Sequence, residues 1–375
     1  MRDIASRFLT ARRLCAYASL RDTQPNIGSH IIGPGPLEMR YPVIPARQSD
    51  LEPKYTRFAR FMEHRKTDMD IFIDNHFQSN VGHHIYHYTG VDAAISILDS
   101  EEFWASEMCY VNDDSEINFG LGSLDEFLTE MEERFPVSNA EGKDQRFMFS
   151  SVFASLLRFS SKGPSSRNIF DSYLISFSTD HDSRYQWENY AANDTGVCIV
   201  FDHHTMSKAE NVYGGIPKSG SVTYGRDNLR KLLRSTFDLC IDFVEGEVAR
   251  KFFDFDVIME WASQKFFENA LAHIALFKDH GFGEEQEWRI WIVPQFDYPE
   301  ICERDAGCRT IEFVKFSCES NLVENMTNYL PAITIIKGDR VAEDDGQRLS
   351  AFLTNDPHLH HIGIATKEEW HQINR

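Results

Sequence analysis

The chain has 375 residues, 42% of them hydrophobic, and a formal net charge of -20. That length buries a full core, and the charge repels nucleic-acid phosphates over most of the surface, which excludes general DNA coating and favours small-molecule or protein partners. The seven cysteines show neither CxxC pairs nor zinc-ligand spacing, so they read as reduced thiols of a cytoplasmic protein, and no apolar run reaches the roughly 18 residues of a membrane helix.

The acidity is concentrated after residue 50, because the first fifty residues hold seven Arg against four acidic residues. Gly33, Pro34, Gly35 and Pro36, followed by Pro42 and Pro45, form a linker that cannot be helical. Residues 1–53 are therefore expected to be a mobile extension and linker, and 54–375 a single α+β globular domain. A helix is predicted over about Lys54 to Phe77. It leads into a first strand, Ile85–Thr89, with Ile85, His87 and Thr89 on one face and Tyr86 and Tyr88 on the other. Asp92 is placed to cap a helix bearing Ala93, Ile95, Ile97 and Leu98. A second strand, Phe103–Val111, ends near Asn112. Asp113 and Glu116 then make an acidic capping box before an amphipathic helix carrying Ile117, Leu121, Leu124, Leu128 and Met131. A further helix is predicted around Phe147 to Phe159.

Tyr173–Ser178 reads as a strand with Ser176 and Ser178 on one face and Ile175 and Phe177 on the other. Asp180 or Asp182 begins a short helix in which Arg184, Trp187 and Tyr190 are neighbours. Asn193 to Gly196 ends it, and Val197–Phe201 is a buried strand, with Cys198 inside. After a hairpin or strand near Ser221–Tyr224 come two helices. The second runs from about Val257 to Lys278 and carries His273 as a packed residue. Gly281 and Gly283 permit a sharp approach to a strand, Trp288–Val293, closed by Pro294. Glu285, Glu287 and Arg289 alternate onto one face of that segment, where the plainest expectation is a sheet-edge ion pair between Glu287 and Arg289. Strands at Thr310–Phe316 and Ala332–Ile336, a helix carrying Leu349 and Phe352, and a solvated histidine cluster at His358, His360 and His361 complete the chain. These elements predict an α+β fold with a mixed or split, mostly antiparallel sheet flanked by helices.

No GxxxxGK[ST] loop, GxSxG elbow, HExxH helix or strand-borne GxGxxG is present. What does recur in order is Tyr86-His-Tyr-Thr89, Asn112-Asp113 with Glu116, Ile175-Ser-Phe-Ser178, Trp187-x-x-Tyr190, Gly196 to Phe201, Phe277-Lys278, Glu285-x-Glu287-Trp-Arg289 and Gly338-Asp-Arg340. Over roughly residues 84 to 365 this set resembles a bacterial domain-of-unknown-function family, number 2971. More distantly, Tyr86 to Thr89, Ser176-Phe-Ser178, and Glu285-Gln-Glu287 leading through an apolar strand to Pro294 resemble the three conserved pieces of Arg-Ser-Glu ADP-ribosyltransferases. His87 stands where that family carries Arg. The resemblance implies an ADP-ribosyltransferase-like core and NAD as substrate, with no metal and no membrane association. It also implies a protein or nucleic-acid acceptor and, by analogy, an intracellular toxin or bacterial defence effector.

Cleaving the nicotinamide–ribose bond builds oxocarbenium-like charge on the sugar, which a nearby carboxylate stabilises. Glu287 is assigned that role, and Glu285 the positioning of the acceptor nucleophile. His87, Ser176 and Ser178 are expected to orient NAD through hydroxyl and phosphate contacts, with Tyr86 or Tyr88 stacking on the nicotinamide. Two other readings stay open. The chain is a non-catalytic binding or regulatory module in the first, with Ser176 and Ser178 as a polar strand face and His87 as a satisfied core histidine. In the second, Asp113, Glu116, Glu285 and Glu287 hold Mg²⁺ or Mn²⁺ in a nuclease or phosphodiesterase.

Overall fold

The structure is a computed structural model, and it describes residues 58, 62, 81–108, 114–140, 142–161, 172–209, 211, 213, 216–293, 300–305, 310–318 and 330–374. The expected N-terminal extension, all of the predicted first helix except Phe58 and Met62, Asn112, Asp113 and Pro294 lie outside these residues.

In chain order the elements begin with β1 (His84–Thr89), α1 (Val91–Ser100), β2 (Phe103–Glu107), α2 (Asp114–Arg134), α3 (Gln145–Ser160), β3 (Tyr173–Ser178) and α4 (Arg184–Asn189). They continue with β4 (Val197–Asp202), α5 (His203–Lys208), β5 (Ile216–Ser221), β6 (Thr223–Tyr224), α6 (Arg226–Arg250), α7 (Phe255–Ala275) and β7 (Phe277–Lys278). The remainder are β8 (Glu287–Val293), β9 (Cys302–Asp305), β10 (Thr310–Phe316), β11 (Ala332–Lys337), α8 (Glu343–Asn355), β12 (Gly363–Thr366) and α9 (Lys367–Ile373).

The chain divides into two compact units. One comprises residues up to Thr67, Met131–Arg167 and Cys240–Lys265. Its described part is helical with an aromatic interior: the Phe58 ring lies 4.7 Å from Phe253 and 6.0 Å from Trp261, both edge-on, and Phe243 lies 4.5 Å from Trp261. Such pairs add to the burial of their large apolar areas.

The other unit, Asp68–Glu130, Asn168–Leu239 and Phe266–Arg375, holds the sheet. Among the described residues, ten strands run in the order β12-β11-β4-β1-β3-β2-β10-β9, with β8 on β3 and β5 on β8, while β6 and β7 form a separate ribbon. Among these described strands, β11–β12 and β6–β7 pair in parallel and the rest antiparallel. Strand β8 lies along all of β3, from Tyr173↔Ile292 to Ser178↔Glu287. The opposite edge of β3 is divided: β2 takes Tyr173 and Leu174, and β1 meets only Ser178, through Tyr86. The sheet is therefore mixed, mostly antiparallel and split at β3, and the fold is α+β as expected.

Strand β4 supplies the most apolar part of this sheet because both of its faces are covered. Val197, Ile199 and Phe201 pack with Ile85, Phe177 and Trp288, whereas Cys198 and Val200 face Tyr86, Tyr88, Trp187 and Trp370. Period-2 alternation thus fixes which side of the sheet each neighbour of the site occupies.

Several helix ends differ from expectation. The N-cap of α1 is Gly90 with no side-chain cap, and Asp92 pairs instead with Arg348. Ser183, not Asp180 or Asp182, caps α4, accepting from the Gln186 N–H. The helix predicted to reach Lys278 stops at Ala275, because Phe277–Lys278 becomes β7 and pairs with β6. Strands β7, β9 and β12 and helices α5 and α9 are too short or too polar to carry a clear periodic signal.

Close backbone approach makes two glycines necessary. A Cβ on Gly196 would lie 2.3 Å from the Thr89 carbonyl oxygen, and one on Gly338 would lie 2.4 Å from that of Asp194. Gly122, exposed within α2, has nothing within 4 Å. Gly196→Ala is expected to lower stability by about 1–3 kcal/mol, whereas Gly122→Ala raises it by about 0.5–1 kcal/mol. Urea unfolding midpoints of the two variants measure both effects.

Candidate functional site

The site is built where the chain leaves α7 and enters β8. After Ala275 it forms β7, then a 3-10 turn over His280–Glu285, and turns into β8 through Gln286, whose φ of 44° is left-handed. A non-glycine residue keeps that conformation only where its surroundings over-determine it. Here the Gln286 carbonyl accepts from the Thr179 N–H at 2.8 Å and the Thr179 hydroxyl at 3.1 Å. The kink takes Glu285 off the strand, so the alternation expected of Glu285, Glu287 and Arg289 holds only for the last two. Glu285 returns to the cluster from the turn. Its carbonyl is pinned at 2.9 Å by both the Ser178 hydroxyl and the Gln186 side-chain amide.

Four ionic side chains meet here, each between 1% and 5% exposed: Lys278, Glu285, Glu287 and Arg289. Arg289 donates from Nε and Nη2 to the two oxygens of Glu287 at 2.9 and 3.0 Å, and from Nη1 to the carbonyl of Ala275, the last residue of α7, at 2.8 Å. Lys278 Nζ lies 3.0 Å from Glu287 Oε2 and donates to Glu285 Oε2. The Tyr190 hydroxyl donates to Glu285 Oε1 at 3.2 Å, and the Tyr224 oxygen accepts the Glu287 N–H at 2.8 Å. Among the described residues, two anions and two cations therefore balance in a buried cluster. The sheet-edge ion pair expected between Glu287 and Arg289 is instead a buried, forked pair on a strand flanked by β3 and β5. Charges can be buried only when paired and hydrogen-bonded as completely as this.

The two carboxyl groups are driven in opposite directions. Burial alone would push Glu287 up, but Arg289, Lys278 and the hydrogen bonds from Arg289 and Ser176 outweigh it and hold the group at about 2. For Glu285 burial prevails over Lys278, with Glu287 adding to the rise, so its pKa lies above the usual carboxylate range.

Of the residues singled out in the sequence, Glu285, Glu287, Ser176 and Ser178 come together. Ser176 is half-buried on the same face of the sheet as Glu287, where its hydroxyl helps to hold that carboxylate charged, while Ser178 binds the backbone of Glu285. His87 does not join them by its side chain. Its ring packs edge-on against Phe103 and Phe177, on the opposite face of the sheet, and Nδ1 donates to the Ser176 carbonyl at 3.1 Å. Burial lowers the imidazole to about 4, so it is neutral near pH 7. Tyr86 and Tyr88 lie on the site's face of the sheet, but each is covered. Tyr88 meets Trp187 edge-on at 5.0 Å and donates to the Asp180 carbonyl, and Tyr86 packs in the same cluster with Trp370.

The sequence reading missed the roles of Lys278, Tyr190, Tyr224 and Gln186. Lys278 is hidden because the 3.6-residue pattern of α7 continues smoothly through Phe277. In the metal reading, Asp113 and the Glu116 side chain lie outside the described residues, and a divalent ion at Glu285 and Glu287 would have to displace Lys278. His358, His360 and His361 are exposed, and His273 is buried beside Thr236.

The family described as protein of unknown function (DUF2971) matches residues 186–290, from α4 into β8. This stretch contains Tyr190, Tyr224 and all four ionic residues, and leaves β1, Ser176 and Ser178 outside it. No curated protein and no solved structure matches the chain, so the likeness to ADP-ribosyltransferases gains no support from these comparisons. Among the described residues, no helix is long and apolar enough to cross a membrane.

Removing one partner of a buried pair strands the other, so Arg289→Met is expected to cost about 3–5 kcal/mol in chemical denaturation. The low pKa of Glu287 also makes stability depend on pH. Between about 4.5 and about 2 the folded chain binds fewer protons at this group than the unfolded chain. Its contribution is thus complete above about 4.5 and disappears as pH falls through about 2. The raised Glu285 acts in the opposite sense, favouring the fold when protonated and losing that contribution as pH rises through its folded pKa. Unfolding followed against pH should show an acid limb in the wild type that is flattened in Glu287→Gln.

Proposed function

We propose that the protein cleaves NAD, transferring ADP-ribose to an acceptor or to water, at the Glu285–Glu287 pair. The observation that carries this reading is the division of labour within the pair. Two carboxylates share one ammonium, yet one is held as an anion and the other is biased towards its protonated form, the condition under which neighbouring carboxyls take different chemical roles. Glu287, fixed beside the half-buried Ser176 hydroxyl, stabilises positive charge on the ribose as the C1′–N bond breaks. Nicotinamide leaves with the bonding pair, the acceptor oxygen bonds to C1′, and its proton passes to the ionised form of Glu285, the more basic carboxylate of the pair. His87 holds the Ser176 backbone rather than touching substrate, and Tyr86 and Tyr88 form the packed floor beside it. Cys198, Cys240, Cys302 and Cys318 are free thiols, which suits a cytoplasmic enzyme with access to NAD, acting as a toxin or defence effector.

The neutralisation of Glu287 by Arg289 and Lys278 favours a second reading, in which the cluster is a rigid joint within a non-catalytic binding module. Nicotinamide release from NAD by the purified full-length protein, assayed with and without protein and nucleic-acid acceptors, separates the two. The first reading expects release that falls by about 100-fold or more in Glu287→Gln, with the circular dichroism of that variant unchanged. Absence of release, with Glu287→Gln altering only stability, establishes the second.

A further inference from the structure

Lys278 is 2% exposed and touches both carboxylates of the pair, while Arg289 forks onto Glu287 and reaches the end of α7. The two cations are therefore not equivalent, and among the described residues Lys278 is the cation that joins Glu285 to Glu287. We propose that Lys278 is a positioning residue of this site, whose single ammonium is divided between the two carboxylates so that Glu285 exchanges a proton while Glu287 stays charged. This rests on the proposed NAD chemistry for its consequence, but not for its electrostatics.

The surroundings of Glu285 make the assignment specific. From β7 it is faced by Lys278, and from β8 by Glu287 with Arg289 behind it. The first turn of α4 supplies the hydroxyl of Tyr185 and its C-cap that of Tyr190, β6 brings Tyr224, and Glu284 precedes it in the turn. Among the described residues, Lys278 is thus the group that both carries positive charge and contacts Glu285. Its place in β7 is set by the parallel pairing of Tyr224 with Lys278 and by the Gly225 N–H donating to the Lys278 carbonyl at 3.0 Å. Tyr185 and Tyr190 are both half-buried, so Glu285 is one phenol away from solvent, the path an exchanging proton requires.

The test is a ¹³C-carboxyl NMR titration of Glu285, assigned by loss of its signal in Glu285→Gln, together with the pH profile of nicotinamide release. Lys278→Met should move the Glu285 midpoint and the acidic limb of the profile upward by about 1–3 pH units, and Lys278→Arg should restore both towards wild type. Glu287→Gln should move the Glu285 midpoint downward, because it removes a like charge and leaves the ammonium to Glu285; this variant keeps the proposal testable if Lys278→Met does not fold. Midpoints unmoved in Lys278→Met, or in Glu287→Gln, overturn the role of Lys278. Nicotinamide release with an unmoved profile in Lys278→Met overturns it as well. A wild type that releases no nicotinamide while the midpoints move as expected overturns the proposed NAD chemistry alone.

Discussion

The structure around the site depends on burying four charges without leaving one unpaired. Moving a carboxylate or ammonium out of water costs several kcal/mol even after relaxation, and the cost is offset only if each charge meets an opposite charge in good geometry. Arg289 meets Glu287 through a fork, which a planar guanidinium does better than any other side chain. Its third contact, to Ala275, places positive charge at the carbonyl end of α7, where the helix dipole favours it. The same pair therefore fixes where α7 ends and how β8 begins. Lys278 then ties both to the ribbon between them. Loss of any one member leaves a buried charge, so the elements carrying them are positioned as a set.

The division of the sheet at β3 follows from the same economy of backbone partners. Beyond Tyr86↔Ser178, β1 no longer pairs with β3, and the Ser176 carbonyl is met by the His87 imidazole instead. A neutral imidazole held by Phe103 and Phe177 is a rigid donor, and a buried carbonyl needs one. His87 thus compensates for a missing ladder bond at the point where the two strands separate. Ser176 is held from behind through its carbonyl, which leaves its hydroxyl to the Glu287 carboxylate on the other face.

Most strands were legible in the sequence, because alternation is a strong local signal: Tyr173–Ser178 and Thr310–Phe316 occupy the predicted ranges, and β1 differs by one residue. The same alternation, carried through the register Tyr86↔Ser178, puts His87 opposite Phe177 and away from the serines. What the sequence did not disclose was register, since the order of motifs along a chain does not say which faces meet. The position of Glu285 was hidden for a different reason. Nothing in Glu-Gln-Glu marks Gln286 as left-handed, and without that kink a continuous strand is the natural reading. Lys278 was obscured by local periodicity, because tertiary pairing with Thr223 and Tyr224 overrides the helical pattern that runs through Leu276 and Phe277.

Stability alone is a poor reason for such a cluster. A buried ion pair can often be replaced by apolar groups of similar volume with no loss of stability, and sometimes with a gain. A scaffold needing only a joint between α7 and β8 would be served by Leu or Met at these positions. The cluster does something an apolar joint cannot: it holds one carboxylate charged well below neutral pH beside another that keeps its proton more tightly than an ordinary carboxyl, on the same face of the sheet as a half-buried hydroxyl. Neutral overall charge does not cancel this, since the field at short range depends on which oxygen lies nearest, and the low-dielectric interior strengthens that local field. Preorganised charge of this kind needs no reorganisation at the moment of reaction, which is the physical basis for reading the cluster as chemistry as well as architecture.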